Sequence, residues 1–124
     1  GKFARNVIDG DANTIWHTQF SPEIKKHPHE LIIDLGREFT LTGFRLLARQ
    51  DAAWNGTLKE IEISISSDTK KFGPPSVKAT LKKTKSPQAL KCAAVKGRFI
   101  RIRTLSEINA GPWASLAEFG VEGQ

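Results

Sequence analysis

The chain has 124 residues with one Cys, no Met and 19 Lys and Arg against 13 Asp and Glu, a formal net charge of +6. This length suffices for one domain with its own core, while a single Cys excludes an intrachain disulfide and no apolar run reaches the roughly 18 residues of a membrane span. The positive charge identifies no partner, because it attracts nucleic acid, anionic lipid and acidic glycans alike.

Apolar residues alternate with polar ones along most of the chain, which is typical of strands that are buried on one face. The predicted strands are 31–35, 39–47, 60–66, 77–82, 97–103 and 115–121. Strict alternation in the second segment places Phe39, Leu41, Gly43, Arg45 and Leu47 on one face and Phe44 and Leu46 on the other.

Turn-forming pairs separate these segments: Leu35-Gly36, Asn55-Gly56, Ser67-Asp68, Gly73-Pro74-Pro75, Lys96-Gly97 and Gly111-Pro112. No stretch shows convincing helical periodicity. Short strands at close spacing predict an all-β fold, an antiparallel β-sandwich.

An oxygen-rich segment near the start contains Asp9, Asp11 and Thr14. Such ligands suit calcium, and Glu118 from the other end of the chain can complete the shell. The spacing differs from the EF-hand loop of about 12 residues. An ordinary Asp-Gly turn explains the same residues, so spacing leaves both interpretations open.

Aromatic and polar side chains are concentrated in the predicted loops: His17, Phe20, Arg49, Trp54, Asn55 and Trp113. A sugar ring offers an apolar face to an aromatic ring and hydroxyls to His, Arg and Asn, so the set fits a carbohydrate site. The alternative is that Trp54 and Trp113 close the ends of the sandwich.

Five lysines lie close together in sequence: Lys78, Lys82, Lys83, Lys85 and Lys91. No aromatic platform for nucleotide bases alternates with them, so we expect no nucleic-acid partner. An exposed edge strand protected by charge explains the cluster. We expect Cys92 to be a small buried residue on a strand.

Catalytic motifs are absent. The His27-Pro28-His29-Glu30 stretch lacks the second His of the zinc-protease helix, and no nucleophile elbow, phosphate loop or dinucleotide fingerprint occurs. We therefore interpret the chain as a binding domain and not an enzyme.

Several motifs in the same order resemble the discoidin or coagulation factor 5/8 type C domains, and among these most closely the family 32 carbohydrate-binding modules. They are VIDGDANTIWHT at 7–18, PHELIIDLG at 28–36, LARQD at 47–51, Asn55-Gly56, ISSD at 65–68 and ASLAEF at 114–119. The resemblance covers nearly the whole chain and implies a galactose-binding-domain-like jelly roll.

The resemblance also implies a structural calcium. Its side-chain ligands map onto Asp9, Thr14 and Glu118, and its carbonyl ligands onto Asn6, Asp11 and Ala117. The ion would hold the two ends of the domain together.

The implied sugar site maps onto His17, Phe20, Arg49, Asn55 and Trp113. His17 and Arg49 would recognise an axial hydroxyl, as in galactose or N-acetylgalactosamine. Trp54 is an additional aromatic residue in the Arg-to-Asn loop, and Phe20 replaces the more frequent Trp.

The resemblance predicts that residues 1–124 form a single module of a larger, secreted, glycan-active enzyme. Its partners would be glycans ending in galactose or N-acetylgalactosamine and a catalytic domain in cis, at an extracellular or cell-surface location and without membrane insertion. The alternative is an adhesion module for anionic lipid or protein, although such domains usually carry a disulfide that the lone Cys92 cannot form.

Overall fold

A computed structural model describes the backbone of residues 16–17 and the whole of residues 28–124. The described residues form seven strands: β1 Trp16–His17, β2 His29–Leu47, β3 Glu60–Ser66, β4 Val77–Thr80, β5 Gln88–Thr104, β6 Ser115–Leu116 and β7 Glu118–Gly123. The described residues form no helix, so none of them contributes a candidate membrane-spanning helix.

The strands form two antiparallel sheets. The larger sheet has five strands in the order β4-β3-β5-β2-β7, and the smaller pairs β1 with β6. The long strands β2 and β5 lie side by side and carry the other strands of the large sheet at their flanks. The predicted antiparallel all-β class is confirmed.

Alternating residues of β2, β3 and β5 build the core. Leu31, Ile33, Ile63, Ile100 and Ile102 are all buried, and their polar neighbours in sequence point away from them. Burial of such side chains stabilises the fold by about 1.5–3 kcal/mol each.

A bulge in β2 overturns the strict alternation predicted for 39–47. The register with β7 shifts between Leu41 and Gly43, and Leu41, Phe44 and Leu46 are consequently all buried, whereas Arg45 is exposed. One extra residue on a strand exchanges the faces beyond it, which simple alternation cannot anticipate. Phe44 then stacks on Phe119 with 5.7 Å between ring centroids.

Two predicted turns are wrong, because Leu35-Gly36 lies within β2 and Lys96-Gly97 within β5. Gly36 has φ of +86° at a register irregularity, a backbone conformation that glycine adopts readily. The Ile65 side chain approaches the backbone of Gly97 so closely that a Cβ there would collide with it.

Strand ends also differ from expectation. β4 ends at Thr80, the last predicted strand is divided at Ala117, and β5 begins at Gln88, nine residues before the predicted start. Residues 88–96 carry mainly Lys and Ala on their exposed side, so their apolar pattern is weak.

The edge-strand explanation for the lysines holds for Lys78, since β4 is an edge of the large sheet. Lys82, Lys83 and Lys85 instead lie in the loop between β4 and β5, and Lys91 lies within β5.

Cys92 is half-buried and packs on the core, and burial raises the pKa of its thiol.

Candidate functional site

Two connections meet at one end of the large sheet: residues 48–59 after β2, and residues 105–114 between β5 and β6. The Ser115 amide donates to the Gly56 carbonyl and the Ile108 amide to the Thr57 carbonyl, each at 2.8 Å. Isolated bridges also join Thr57 to Ser115 and Leu58 to Glu107. These backbone contacts hold the two loops in a fixed relative position.

Arg49 follows the end of β2 and is 6% exposed. Its Nε and one terminal nitrogen donate to the two carboxylate oxygens of Asp51, each at 2.8 Å, and the other terminal nitrogen donates to the Asn55 carbonyl at 3.0 Å. The hydrogen bond from Arg49 is the main reason why the pKa of Asp51 lies below its usual value. The guanidinium is therefore fixed in orientation and charged.

Glu107 connects the two loops and was not singled out from the sequence. This carboxylate is 1% exposed and accepts the Gly56 amide at 2.9 Å and the Trp113 amide at 2.7 Å. Gly111 also approaches it so closely that a Cβ would need to displace the carboxylate. The only sequence signal was one acidic residue in a loop that ends in Gly-Pro-Trp, and its partner loop lies some fifty residues away.

A third connection, between β4 and β5, also reaches the site. The Lys85 ammonium donates to the carbonyls of Arg49 at 2.8 Å and Ala53 at 2.7 Å, and lies 4.0 Å from the centroid of the Trp54 ring. The Lys83 ammonium lies 4.9 Å from the same centroid. Sequence reasoning missed both roles, because a loop lysine gives no sign of the backbone or the aromatic ring that it contacts.

The structure brings together four of the six predicted sugar-site residues. Arg49 and Asn55 are in contact, Trp54 belongs to the same loop, and Trp113 is connected to that loop through Glu107. The side chain of Asn55 is exposed, and those of Trp54 and Trp113 are half-buried.

His17 is placed by its backbone, which pairs with Ser115 across β1 and β6. The Ser115 hydroxyl in turn donates to the Asn55 carbonyl at 2.8 Å, so the strand of His17 borders the same cluster. The side chain of His17 and the whole of Phe20 lie outside the described residues.

Of the predicted calcium ligands, the structure describes Ala117 and Glu118. Ala117 is buried and donates its amide to Leu47, while Glu118 begins β7 with its Oε1 shielded from solvent. Trp16 lies opposite Leu116, adjacent to Ala117 in the chain. Asn6, Asp9, Asp11 and Thr14 lie outside the described residues.

His29 has a structural contact in place of the metal chemistry that its motif first suggests. Its Nε2 donates to the Pro112 carbonyl at 2.5 Å, which connects β2 to the loop before Trp113. Within residues 28–124 no three His, Cys, Asp or Glu side chains are grouped for metal binding.

Comparison with known proteins identifies relatives along nearly the whole chain. The sialidase of Micromonospora viridifaciens is 34% identical over 122 residues, which cover 98% of this chain and 19% of the sialidase. The galactose oxidase of Gibberella zeae is 30% identical over 122 residues, covering 98% of this chain and 18% of the oxidase. The chain thus spans about a fifth of the length of these curated relatives.

Solved structures with the same fold include carbohydrate-binding modules. CpGH89CBM32-5 from Clostridium perfringens, in complex with GalNAc-β-1,3-galactose, has a TM-score of 0.89 and 29% identity, with 98% of this chain and 84% of that chain covered. The family 32 module of C. perfringens NanJ, in complex with galactose, has a TM-score of 0.82 and 22% identity, with coverage of 95% and 82%. These matches confirm the predicted galactose-binding-domain-like jelly roll.

The family model described as F5/8 type C domain matches residues 1–119. Together with the relatives above, this match confirms the family that the sequence motifs resemble. The chain therefore belongs to the F5/8 type C domain family, and its fold is that of the carbohydrate-binding modules among its members.

Proposed function

We propose that this domain is a non-catalytic carbohydrate-binding module that recognises galactose or N-acetylgalactosamine at the ends of glycans. The observation that carries the proposal is the fixed, charged guanidinium of Arg49, which three hydrogen bonds orient at the meeting point of two aromatic loops. Homology supports the ligand class, since two structural neighbours are complexes with GalNAc-β-1,3-galactose and galactose.

The geometry of Arg49 suits a hydroxyl reader. A guanidinium has five N–H donors, and the contacts to Asp51 and Asn55 use three of them. A remaining donor can contact a sugar hydroxyl with no reorientation of the side chain, so little conformational entropy is lost on binding. Galactose and glucose differ only at C4, where the axial hydroxyl of galactose is the group that Arg49 and His17 would recognise.

Trp113 would supply the apolar surface of this site. Its backbone is held by Glu107, and Glu107 also holds Gly56 next to Asn55. An aromatic ring in this position can pack against the C–H face of a pyranose while Asn55 hydrogen-bonds its hydroxyls. Trp54 in the same loop as Asn55 and, by the family pattern, Phe20 would add further aromatic surface.

The carboxylates of the described loops favour binding over catalysis. Asp51 is engaged with Arg49, and Glu107 is buried against two backbone amides. Neither is placed as an acid–base group, for which a free carboxyl within reach of the sugar is needed.

A structural calcium is the second part of the proposal. Glu118, the Ala117 carbonyl and the segment before Trp16 would hold it, with Asn6, Asp9, Asp11 and Thr14 as the other ligands. Oxygen ligands from both ends of the chain fit calcium, and an ion that binds only the folded state stabilises it.

Removal of the ion therefore tests this part separately. We expect EDTA to lower the melting temperature by several degrees and excess calcium to restore it, and Glu118→Gln to abolish both effects. Glu122→Gln, at an exposed position of the same strand, is the control. A melting temperature that does not respond to EDTA would contradict the calcium proposal and leave the sugar site untouched.

We infer the biological setting from the curated relatives, which are several times longer than this chain. We propose that the module attaches to a glycan-active catalytic domain and works outside the cell. Monosaccharide affinity would be weak, roughly millimolar, because so small a ligand supplies limited binding energy. Clustered glycans would raise the effective affinity through avidity.

Calorimetric titration with three sugars tests the proposed function. We expect galactose and N-acetylgalactosamine to bind with similar affinity and glucose to give no detectable binding. Binding to anionic vesicles with no response to any of the three sugars would overturn the proposal in favour of an adhesion module.

A further inference from the structure

Three cationic side chains converge on the Trp54 side of the candidate site. Arg49 lies in the same loop as Trp54, and the ammonium groups of Lys83 and Lys85 lie 4.9 Å and 4.0 Å from the Trp54 ring centroid. We refer to Arg49, Lys83 and Lys85 as the Trp54 cationic cluster. The sugar site that is carried over from the family pattern includes neither lysine.

Among the described residues, the cluster has more positive charge than its neighbours neutralise. Asp51 forms a bidentate pair with Arg49, and in the part of the chain that the structure describes no carboxylate pairs with Lys83 or Lys85. Burial lowers the pKa of Lys85, and the charges of Arg49 and Lys83 lower it further, against a single opposing effect from Asp51. Like charges are therefore held near one another, which is unfavourable without an added anion.

The two lysines differ in what they are free to do. The Lys85 ammonium is half-buried and donates to the Arg49 and Ala53 carbonyls, so it is fixed as part of the loop. Lys83 is exposed, and the described residues give its ammonium no hydrogen-bond acceptor, only the face of Trp54. That aromatic contact restrains a cation at the rim of the site without using its N–H donors.

Ordinary surface lysines provide the contrast. Lys70 is exposed in the turn after β3, at the far end of that strand from the loop that carries Trp54, and none of the described aromatic rings contacts its ammonium. A seven-residue strand separates the two by about 20 Å. A solvated charge explains Lys70, whereas Lys83 is restrained beside two further cations.

We propose that the Trp54 cationic cluster is a subsite for an anionic group on the glycan, a carboxylate or a sulfate ester carried by the galactose-type sugar or by its neighbour. Lys83 is the residue that contacts the anion, and Lys85 and Trp54 position it. The proposal rests on the proposed function, since it extends the same site toward acidic glycans.

The test compares galactose with galactose 3-sulfate, galactose 6-sulfate and galacturonic acid, titrated by NMR into the intact domain at about 20 mM and 500 mM salt. We expect at least one acidic sugar to bind about three- to tenfold more tightly than galactose at low salt, and this gain to shrink at high salt because exposed charges are screened. The three acidic sugars show whether carboxylate or sulfate is preferred, and at which position.

Two variants locate the effect. Lys83→Gln should remove the preference for the acidic sugar and leave galactose affinity within about twofold, whereas Lys70→Gln, which removes the same charge elsewhere, should keep the preference. Equal binding of neutral and acidic sugars, or a preference that survives Lys83→Gln, would overturn the subsite alone. No binding of any of the four sugars would overturn the proposed function and the subsite with it.

Discussion

Two arginine–aspartate pairs in this domain have nearly the same geometry and different surroundings. Arg98 and Asp34 lie on the surface of the large sheet with contacts of 2.7 Å and 2.8 Å, and their side chains are 44% and 47% exposed. Arg49 and Asp51 lie in the loops beyond β2 with both contacts at 2.8 Å, and their side chains are 7% and 54% exposed. Only the arginine of the second pair is buried.

Burial gives the second pair a different role. Arg49 has an additional bond to the Asn55 carbonyl, and its backbone carbonyl accepts Lys85, so the ion pair is part of a network that connects three loops. The Arg98 pair is open to water, where such pairs contribute little because solvent screens them. The distance between the two charges therefore does not distinguish the pairs. The contacts between the arginine and the surrounding loops do.

Arg49→Ala should have the largest effect. We expect galactose binding to become at least tenfold weaker, and the domain to lose about 1–3 kcal/mol of stability, because charged hydrogen bonds are removed from a buried site. Arg49→Lys retains the charge without the bidentate fork and should recover stability better than binding. Titration of both folded variants with galactose checks this, and unchanged affinity in either would contradict the role of the guanidinium.

Glu107→Gln should have the next largest effect, through the loops and not through the sugar. The amide oxygen of Gln can accept only one of the two backbone N–H groups. The other N–H group then faces the Gln NH2 group, which is itself a donor, and the loss of stability should be roughly 1–3 kcal/mol. We expect a lower melting temperature and weaker galactose binding. Glu122→Gln removes an exposed carboxylate from β7 and should change neither, and a Glu107 variant as stable as this control would show that the loops do not depend on Glu107.

The acid titration of Asp51 reports directly on its pair with Arg49. Because its pKa in the folded state lies below the ordinary value of 3.8, the stabilisation by the pair is present above that value and is lost as the pH falls through the lowered pKa. Carbon-13 NMR of the carboxyl should therefore show a midpoint below 3.8 that moves upward in Arg49→Lys. A midpoint at or above 3.8 in the unmodified domain would mean that the pair does not form in solution.

Arg98→Gln should have the smallest effect. The Arg98 hydrogen bond is the main reason why the pKa of Asp34 is lowered to about 2, so the variant should move this pKa back toward 3.8. The melting temperature and galactose affinity should stay unchanged, since both partners are exposed. A measurable loss of sugar binding would show that the surface pair also influences the site.

The strands of the sheet were easier to predict from the sequence than the contacts between the loops. β3 was predicted with its observed bounds because Glu60–Ser66 alternates cleanly between apolar and polar residues. β2 was predicted as two segments because Leu35-Gly36 resembles a turn, and the bulge after Leu41 exchanged the faces of the second segment. The start of β5 was missed because its alternation of apolar and polar residues is weak. A local pattern cannot reveal where the partner strand changes register.

The site was predicted from two sources, the polar and aromatic residues of the loops and the family motifs. Loop composition singled out Arg49, Asn55 and Trp113, the resemblance gave them their roles, and the structure brings them together. Glu107 and Lys85 were missed because their partners are backbone groups distant in sequence, Gly56 for the first and Arg49 for the second. Every residue has a backbone carbonyl, and nearly every residue has an amide N–H. The type of residue at a position therefore does not show whether its backbone is contacted.

The most direct test of the account is amide chemical-shift mapping with galactose, N-acetylgalactosamine and glucose. The account predicts saturable shifts for the first two sugars at Arg49, Asn55 and Trp113 and none at Arg98 or Asp34, with no response to glucose. Shifts of equal size with glucose, or shifts confined to residues outside the three connected loops, would contradict the claim that the buried Arg49 network reads the axial hydroxyl of a galactose-type sugar.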